Sequence, residues 1–368
     1  MNLKNIPGFS THEKIVVIES DDWGSIRMPN KRVYEELLRQ NVKVDSNNFT
    51  RLDTVASAVD IENLFDVLTS VSDVRDQYAK LTPFTCMTNP DFDHLKMSNF
   101  GSYKYEVFTE TIEKYHGSSV FQLWKKGIDL NIFVPEYHGR EHYNVFLLMD
   151  LLKDGNVDLM NAIQNDVVHI PIVSERLKYI KSIYPTYYYS DSNQLKVLLE
   201  NLKEGVKIFE SVFGRSPNCF GPPNGVFSFE LEQAFKDTGL KGLVVNRNRI
   251  EPTGKGDLSS SNFLFKSGVS NLYGQRYYRR NSKFEPVQSS YSLERTLSEV
   301  QAAFFWNKPA VISSHRINYV GGLDNKHKYY ALDQLKQLLK SITKKWPDVL
   351  FLTSGEFINY MHLESNKS

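Results

Sequence analysis

The chain has 368 residues, 41% hydrophobic and 13% aromatic, enough for one large core or two small ones. Its 44 Lys and Arg against 43 Asp and Glu leave a formal charge of +1, which gives no basis for expecting nucleic acid or an acidic membrane surface as the main partner. The two cysteines, Cys86 and Cys219, sit in unrelated contexts without a CxxC pattern, which excludes a disulfide framework and argues against thiolate metal binding.

The segment from Met1 to Lys14 is polar and lacks an apolar stretch of signal-peptide length. No run of about 18 apolar residues occurs anywhere, so the expectation is a cytoplasmic chain without a transmembrane segment. A strand-like run, Lys14 to Ser20, ends in the adjacent carboxylates Asp21 and Asp22. A helix is predicted near 31–40. Another passes through Ile61, Leu64, Phe65 and Leu68, which share one face. Further strand-like runs occur at Leu81–Met87, Asp129–Val134, Pro217–Phe220, Lys241–Val245, Phe263–Phe265, Ala310–Ser313 and Val349–Thr353. Between them, helices are predicted at about 193–213, 229–238, 291–306 and 328–345.

Alternation of this kind predicts a parallel sheet with helical crossovers, and the number of strands favours a closed barrel over an open sheet. No linker or repeat divides the chain, so residues 1–368 read as one domain. Two stretches, 89–128 and 154–192, fit the alternation poorly and read as insertions. The second holds the aromatic cluster Tyr184 to Tyr189, which either walls a substrate groove or packs against the barrel.

The chemistry-bearing residues follow strand-like runs, and in an α/β barrel strand ends converge on one mouth. The acidic pair offers one carboxylate ligand and a second carboxylate free to act as a base. His138 and His142 are four residues apart, on a strand-to-helix loop or the first turn of a helix. On a helix that spacing puts both on one face, about 5–6 Å apart at Cβ and close enough to share an ion. Two imidazoles and a carboxylate suit zinc, cobalt, nickel or iron and leave positions open for water or substrate. His315 ends the run Pro309 to Ser314 on the same mouth. His12, His94, His116, His169, His327 and His362 have no such context and are expected to be structural or solvent-facing. The loop Phe220-Gly-Pro-Pro-Asn-Gly225 is rigid, and its N–H groups could hold an oxyanion.

Strand–Asp-Asp, HxxxH, a Pro-Pro-x-Gly loop and a strand ending in Ser-x-His, in that order, resemble the NodB-type polysaccharide deacetylases, carbohydrate esterase family 4. The helix 193–213 with Phe213-Gly-Arg-Ser-Pro217, and the helix 328–345 with Trp346 to Glu356, also look like parts of that domain. The resemblance spans most of residues 14–357. It implies a distorted (β/α) barrel and metal-dependent removal of an N- or O-acetyl group from a glycan. It assigns Asp21 as general base, His315 as general acid, and Asp22, His138 and His142 as metal ligands, with zinc the expected ion. The Asn224 peptide N–H would assist the oxyanion, and Pro223, Trp23, Arg140 and Arg316 are the further candidates for contacting a saccharide or amino-sugar substrate. Other outcomes for the same fold are hydrolysis of another C–N bond, such as a formamide or cyclic amide, and glycan binding without turnover.

Three positions depart from the family pattern. Gly221 stands where the family has an arginine that orients the catalytic aspartate, and Asn224 where it has an aromatic residue. The Asp-Trp motif that supports the acid histidine has no clear counterpart. Arg247, Arg249, Arg140 and Arg316 are the candidates to compensate.

Overall fold

A computed structural model describes residues 7–365. Its strands are β1 (Ile15–Trp23), β2 (Thr82–Cys86), β3 (Thr88–Pro90), β4 (Tyr105–Val107), β5 (Glu136–Gly139), β6 (Cys219–Phe220) and β7 (Gly242–Val244). They continue with β8 (Asn248–Pro252), β9 (Leu258–Leu264), β10 (Arg276–Tyr278), β11 (Ser282–Lys283), β12 (Ala310–His315) and β13 (Leu350–Leu352). Nine of these form one sheet in the order β10-β7-β6-β5-β2-β1-β12-β11, while β13 pairs the start of β1 on the edge whose later part pairs β2. Every pairing in that sheet is parallel, and helices cross between the strands, giving the distorted (β/α) barrel.

Among the described residues no ladder joins the edge strands β10 and β11. The chain itself closes the ring there, because only Arg279, Arg280 and Asn281 separate the two strands. Asn281 fastens this seam to β12. Its N–H donates to Val311 O at 3.0 Å, and its side chain accepts from Val311 N and donates to Pro309 O, both at 2.9 Å.

The helices start and stop on local chemistry. Ser57 and Asp60 form a capping box at the helix Ala58–Thr69. Asp191 accepts the first N–H groups of the helix Ser192–Phe213, which ends at Gly214 with φ +67°. All nine residues of β1 are buried, as a strand covered on both faces requires. Val16 and Ile18 pack outward into the main core under the helices. Ile15 and Val17 face a second cluster with Phe84, Val244, Tyr278 and Val311, and Phe357, Ile358 and Met361 of the last helix, Ser354–Ser365, join it. Among the described residues no helix is long and apolar enough to cross a membrane.

Several expectations change. The predicted strand at 129–134 is instead the end of the helix Ser119–Asp129, a turn with Asn131 at φ +55°, and a single bridge from Phe133 to Leu81. The apolar run that suggested a strand serves the core through Ile132 and Phe133, and the ladder begins only after Pro135. Residues 263–265 meet the end of β9, which pairs antiparallel with β8 outside the main sheet. The seam strands β10 and β11 are two or three residues long and carry no apolar run, so the sequence did not reveal them. In 89–128 a small β3–β4 pair and three helices appear, and in 154–192 one helix, Val157–Gln164, with a 3-10 turn. Tyr187, Tyr188 and Tyr189 are buried in the main core.

The helix Ser192–Phe213 meets β5 at Gly205, where an added Cβ would lie 2.0 Å from Tyr137 Oη and 3.0 Å from Arg140 Cβ. Tyr137 is fully buried beside His138 and has no room to swing away. Gly205→Ala should therefore lower stability by about 1–3 kcal/mol through overpacking. In an open helix the same change gains about 1 kcal/mol. Urea unfolding measures the sign, and a stabilised variant would show that the helix does not sit this close to β5.

Candidate active site

Side chains on a strand alternate between faces. Ile15 and Val17 face inward, so Glu19 and Asp21 do as well, whereas a regular strand would turn Asp22 outward. A register shift against β2 between Ser20 and Trp23, with Asp22 at φ +74°, breaks the alternation there. Both carboxylates thus line one cavity of about 800 Å3 at the C-terminal ends of the strands. The same shift returns Trp23 to the outer core, where its indole donates to Ser20 Oγ at 2.8 Å and packs on Trp124 and Phe133. Trp23 is therefore a core residue rather than a substrate contact.

His138 lies within β5 and His142 in the loop before the helix Val145–Lys153, so of the two expected placements His142 has the strand-to-helix loop, and the pair does not share a helical face. Gly139, at φ +117°, turns the chain between them, and the rings come to 5.2 Å. His138 Nδ1–H donates to Gly221 O at 2.6 Å, which leaves Nε2 for the cavity. His142 Nε2 is 2.8 Å and His138 Nε2 3.9 Å from Asp22 Oδ1. Asp22, His138 and His142 are buried, each with a ligand atom within 4.8 Å of the others', so this trio could hold a metal ion. The donor chemistry fits: burial outweighs the nearby carboxylates and lowers His138 to about 4, keeping its lone pair free at neutral pH. Burial alone would raise Asp22, but Arg27, 3.0 Å from Oδ2, and His142 hold it well below the usual carboxylate range.

Asp21 is gripped by another arginine. Arg280, on the seam, reaches Asp21 Oδ2 at 2.5 Å and Oδ1 at 2.6 Å, and its Nε donates to Glu19 Oε2 at 2.6 Å. Burial opposes ionisation, yet this bidentate grip holds Asp21 at about 2. Asp21 is thus bonded by Arg280, where an arginine at position 221 was expected to orient it. A Cβ at Gly221 would crowd the Phe84 ring at 3.0 Å, and the Arg280 guanidinium lies 5.3 Å from that ring's centre.

His315, at the end of β12, is the cross-strand register partner of Asp21. Its Nδ1 meets Glu285 Oε1 at 2.5 Å, and Asn318 donates to Glu285 Oε2 at 3.0 Å. Burial would lower the imidazole pKa; Glu285, with Asp22 and Asp21, overcomes it and raises the value to about 9. Glu285 thus supports His315 where no Asp-Trp motif was found.

The remaining candidates separate. Asn224, at φ +56°, lines the cavity with Gly221, Pro222 and Gly225, while Pro223 is buried behind them. Arg140 lies in a different recess, bonded to Glu141 and Glu204. Arg316 is fully buried, donating to both oxygens of Asp53 at 3.0 Å. Arg249 pairs with Glu251. None of these three arginines compensates at position 221, and Arg247, which does line the cavity, has no bond to Asp21. Tyr184 lines the cavity under the Arg27 guanidinium and stacks on buried His169. Sequence reasoning missed Arg27, Arg280 and Glu285. The only signals available were the Arg279-Arg280 pair and an acid before Pro286, both common outside any site.

No protein-family model matches the chain, and no curated protein sequence matches it. Among solved structures it is similar to a protein from Mycobacterium smegmatis designated a polysaccharide deacetylase, at 9% identity and TM-score 0.49, over 98% of this chain and 94% of that one. It is also similar to a 4-alpha-glucanotransferase from Thermococcus litoralis, at 10% identity and TM-score 0.48, over 94% of this chain and 40% of that one. A CE4 family pseudoenzyme from Bacillus anthracis gives 10% identity and TM-score 0.41, over 94% and 66%. These three proteins differ in what their names say they do. The chemistry has to be read from the site.

Asp22→Ala, His138→Ala and His142→Ala should each abolish tight binding of a divalent ion, because two remaining protein ligands hold it poorly. Elemental analysis of the purified variants measures this, and a full equivalent retained in all three would remove the ligand assignment. Glu285→Gln should lower the pKa of His315, since burial then acts with less opposition. The folded value of about 9 lies above 6.5, so the ion pair stabilises fully below pH 6.5 and its contribution fades as pH rises through 9. Imidazole NMR titration should show the shift, and the stability gap between wild type and variant should close above pH 9. An unmoved titration would mean that Glu285 does not hold the proton.

Proposed function

We propose that the protein is a metal-dependent hydrolase that removes an acetyl group from an N- or O-acetylated saccharide or amino-sugar derivative. The observation that carries this reading is one cavity mouth combining the Asp22–His138–His142 trio, an ionised Asp21 and a protonated His315. Asn246, Gln288, Phe49 and Tyr184 line the same cavity, with amides to bond hydroxyls and rings to cover a sugar face. Gly221 in place of the family arginine favours a barrel that binds glycan without turnover, whereas Arg280 gripping Asp21 supports the hydrolase reading.

Asp22, His138 and His142 would hold the ion. A divalent ion so bound would polarise the acyl carbonyl and acidify a water. Asp21 takes the proton of the attacking water, and its low pKa keeps it ready to do so across the neutral range. The Asn224 peptide N–H donates to the oxygen that becomes negative as the tetrahedral centre forms. His315 gives its proton to the leaving amine or alcohol, and acetate and the free sugar group result. Arg280 positions Asp21, and Glu285 keeps the proton on His315 until it is needed.

Release of acetate from acetylated saccharides is the test, and failure on N- and O-acetyl substrates alike would remove this reading. Asp21→Asn should keep its metal and lose about 10²–10⁴-fold in turnover. His315→Ala should also keep its metal, lose activity on an N-acetylated sugar, and retain far more on an aryl acetate, whose phenolate leaves without a proton. Equal losses on both substrates in a destabilised protein would make His315 a packing residue.

A further inference from the structure

The arginines around the cavity fall into two groups. Arg27, Arg280 and Arg295 each face a carboxylate: Asp22, the pair Glu19 and Asp21, and Glu299 at 3.5 Å. Arg247 and Arg279 also line the cavity, as does Lys283. Among the described residues no carboxylate lies within ion-pair distance of these three side chains. Glu299, the nearby acid, is engaged by Arg295 and by the Lys283 backbone N–H at 2.9 Å.

The fold forces the cations together. β7 and β10 are adjacent and in parallel register, with Tyr278 opposite Val244. Arg279 follows Tyr278 directly, and Arg247 comes three residues after Val244, so both leave their strands at the same mouth. Phe265 sits between them, its N–H bonded to Arg247 O at 3.1 Å and its carbonyl 3.4 Å from an Arg279 nitrogen. Partial burial, and then the charge of Arg247, press the pKa of Arg279 below its usual value. Arg247 is exposed and Arg279 half-buried, neither has a carboxylate partner among the described residues, and their forks match the oxygens of phosphate or carboxylate.

We propose that Arg247 and Arg279, with Lys283 lining the same cavity, form an anion subsite in the wall of the catalytic cavity, and that the substrate carries a phosphate or carboxylate group besides the acyl group it loses. The inference rests on reading the cavity as a deacetylase site, and its test separates the two. Wild type and Arg247→Gln/Arg279→Gln are compared on N-acetylglucosamine, N-acetylglucosamine 1-phosphate and an N-acetylated hexosaminuronic acid. Wild type should favour one anionic sugar over the neutral one, and which one it is distinguishes phosphate from carboxylate. The double variant should lose about 10- to 100-fold of that preference, the effect of removing charge-assisted hydrogen bonds, mainly through KM. Added salt should weaken the wild-type preference. Arg247→Lys/Arg279→Lys should restore part of it, which a folding defect would not allow.

Calorimetric titration with N-acetylglucosamine 1-phosphate gives a readout independent of turnover. Binding by wild type and not by the Gln variant, without acetate release from any sugar, would keep the anion subsite and remove the deacetylase reading. Acetate release with equal kcat/KM on neutral and anionic sugars in wild type would keep the deacetylase and overturn the subsite. Unchanged preference in the Gln variant would overturn it as well.

Discussion

Two carboxylates in succession on a strand point to opposite faces, and the candidate active site exists because β1 breaks that rule at Asp22. A left-handed residue with a Cβ costs about 1–2 kcal/mol, least for Asp and Asn. Here the turn brings Asp22 to Arg27 and His142, which offset the cost. With Asp22 turned inward, Asp21 and His315 stay as register partners on β1 and β12, and Trp23 returns to the core. A regular strand would have placed one carboxylate in the mouth and the other under the helices.

Adjacent carboxylates ordinarily repel and raise one another's pKa. This site avoids that by giving each its own guanidinium, Arg280 for Asp21 and Arg27 for Asp22. The imidazoles are divided in the same way. Burial keeps His138 neutral, and its Nδ1–H bond to Gly221 O leaves Nε2 for the cavity, whereas His315 is kept charged by Glu285. One cavity therefore holds a neutral and a charged imidazole, the first set by burial and the second by the Glu285 carboxylate.

The seam of the barrel supplies much of this control. Between β10 and β11 the ring is completed by covalent chain, held to β12 through Asn281. Arg279 and Arg280 come from it, and Lys283 and Glu285 follow within five residues of Arg280. Functional residues gather where the backbone is positioned by its neighbours without being committed to a regular ladder.

The sequence by itself determined the helices with clean apolar stripes and caps, the longer strands of the main sheet, and the order Asp21-Asp22, His138, His142, Asn224, His315 along one mouth. Those features are local: periodicity of side chains and residues at strand ends, which any fold with parallel strands brings to one side. Tertiary structure alone decided the orienting groups. Arg280 lies 259 positions from Asp21, and Glu285 lies 30 from His315, both beside strands too short to announce themselves. It also decided that Trp23, Pro223, Arg140 and Arg316 do not line the cavity. A residue's neighbours along the chain do not state whether its strand keeps its alternation, nor which of several arginines finds a carboxylate. Charge pairing acts through space, so these choices were settled only when β1, β12 and the seam came together.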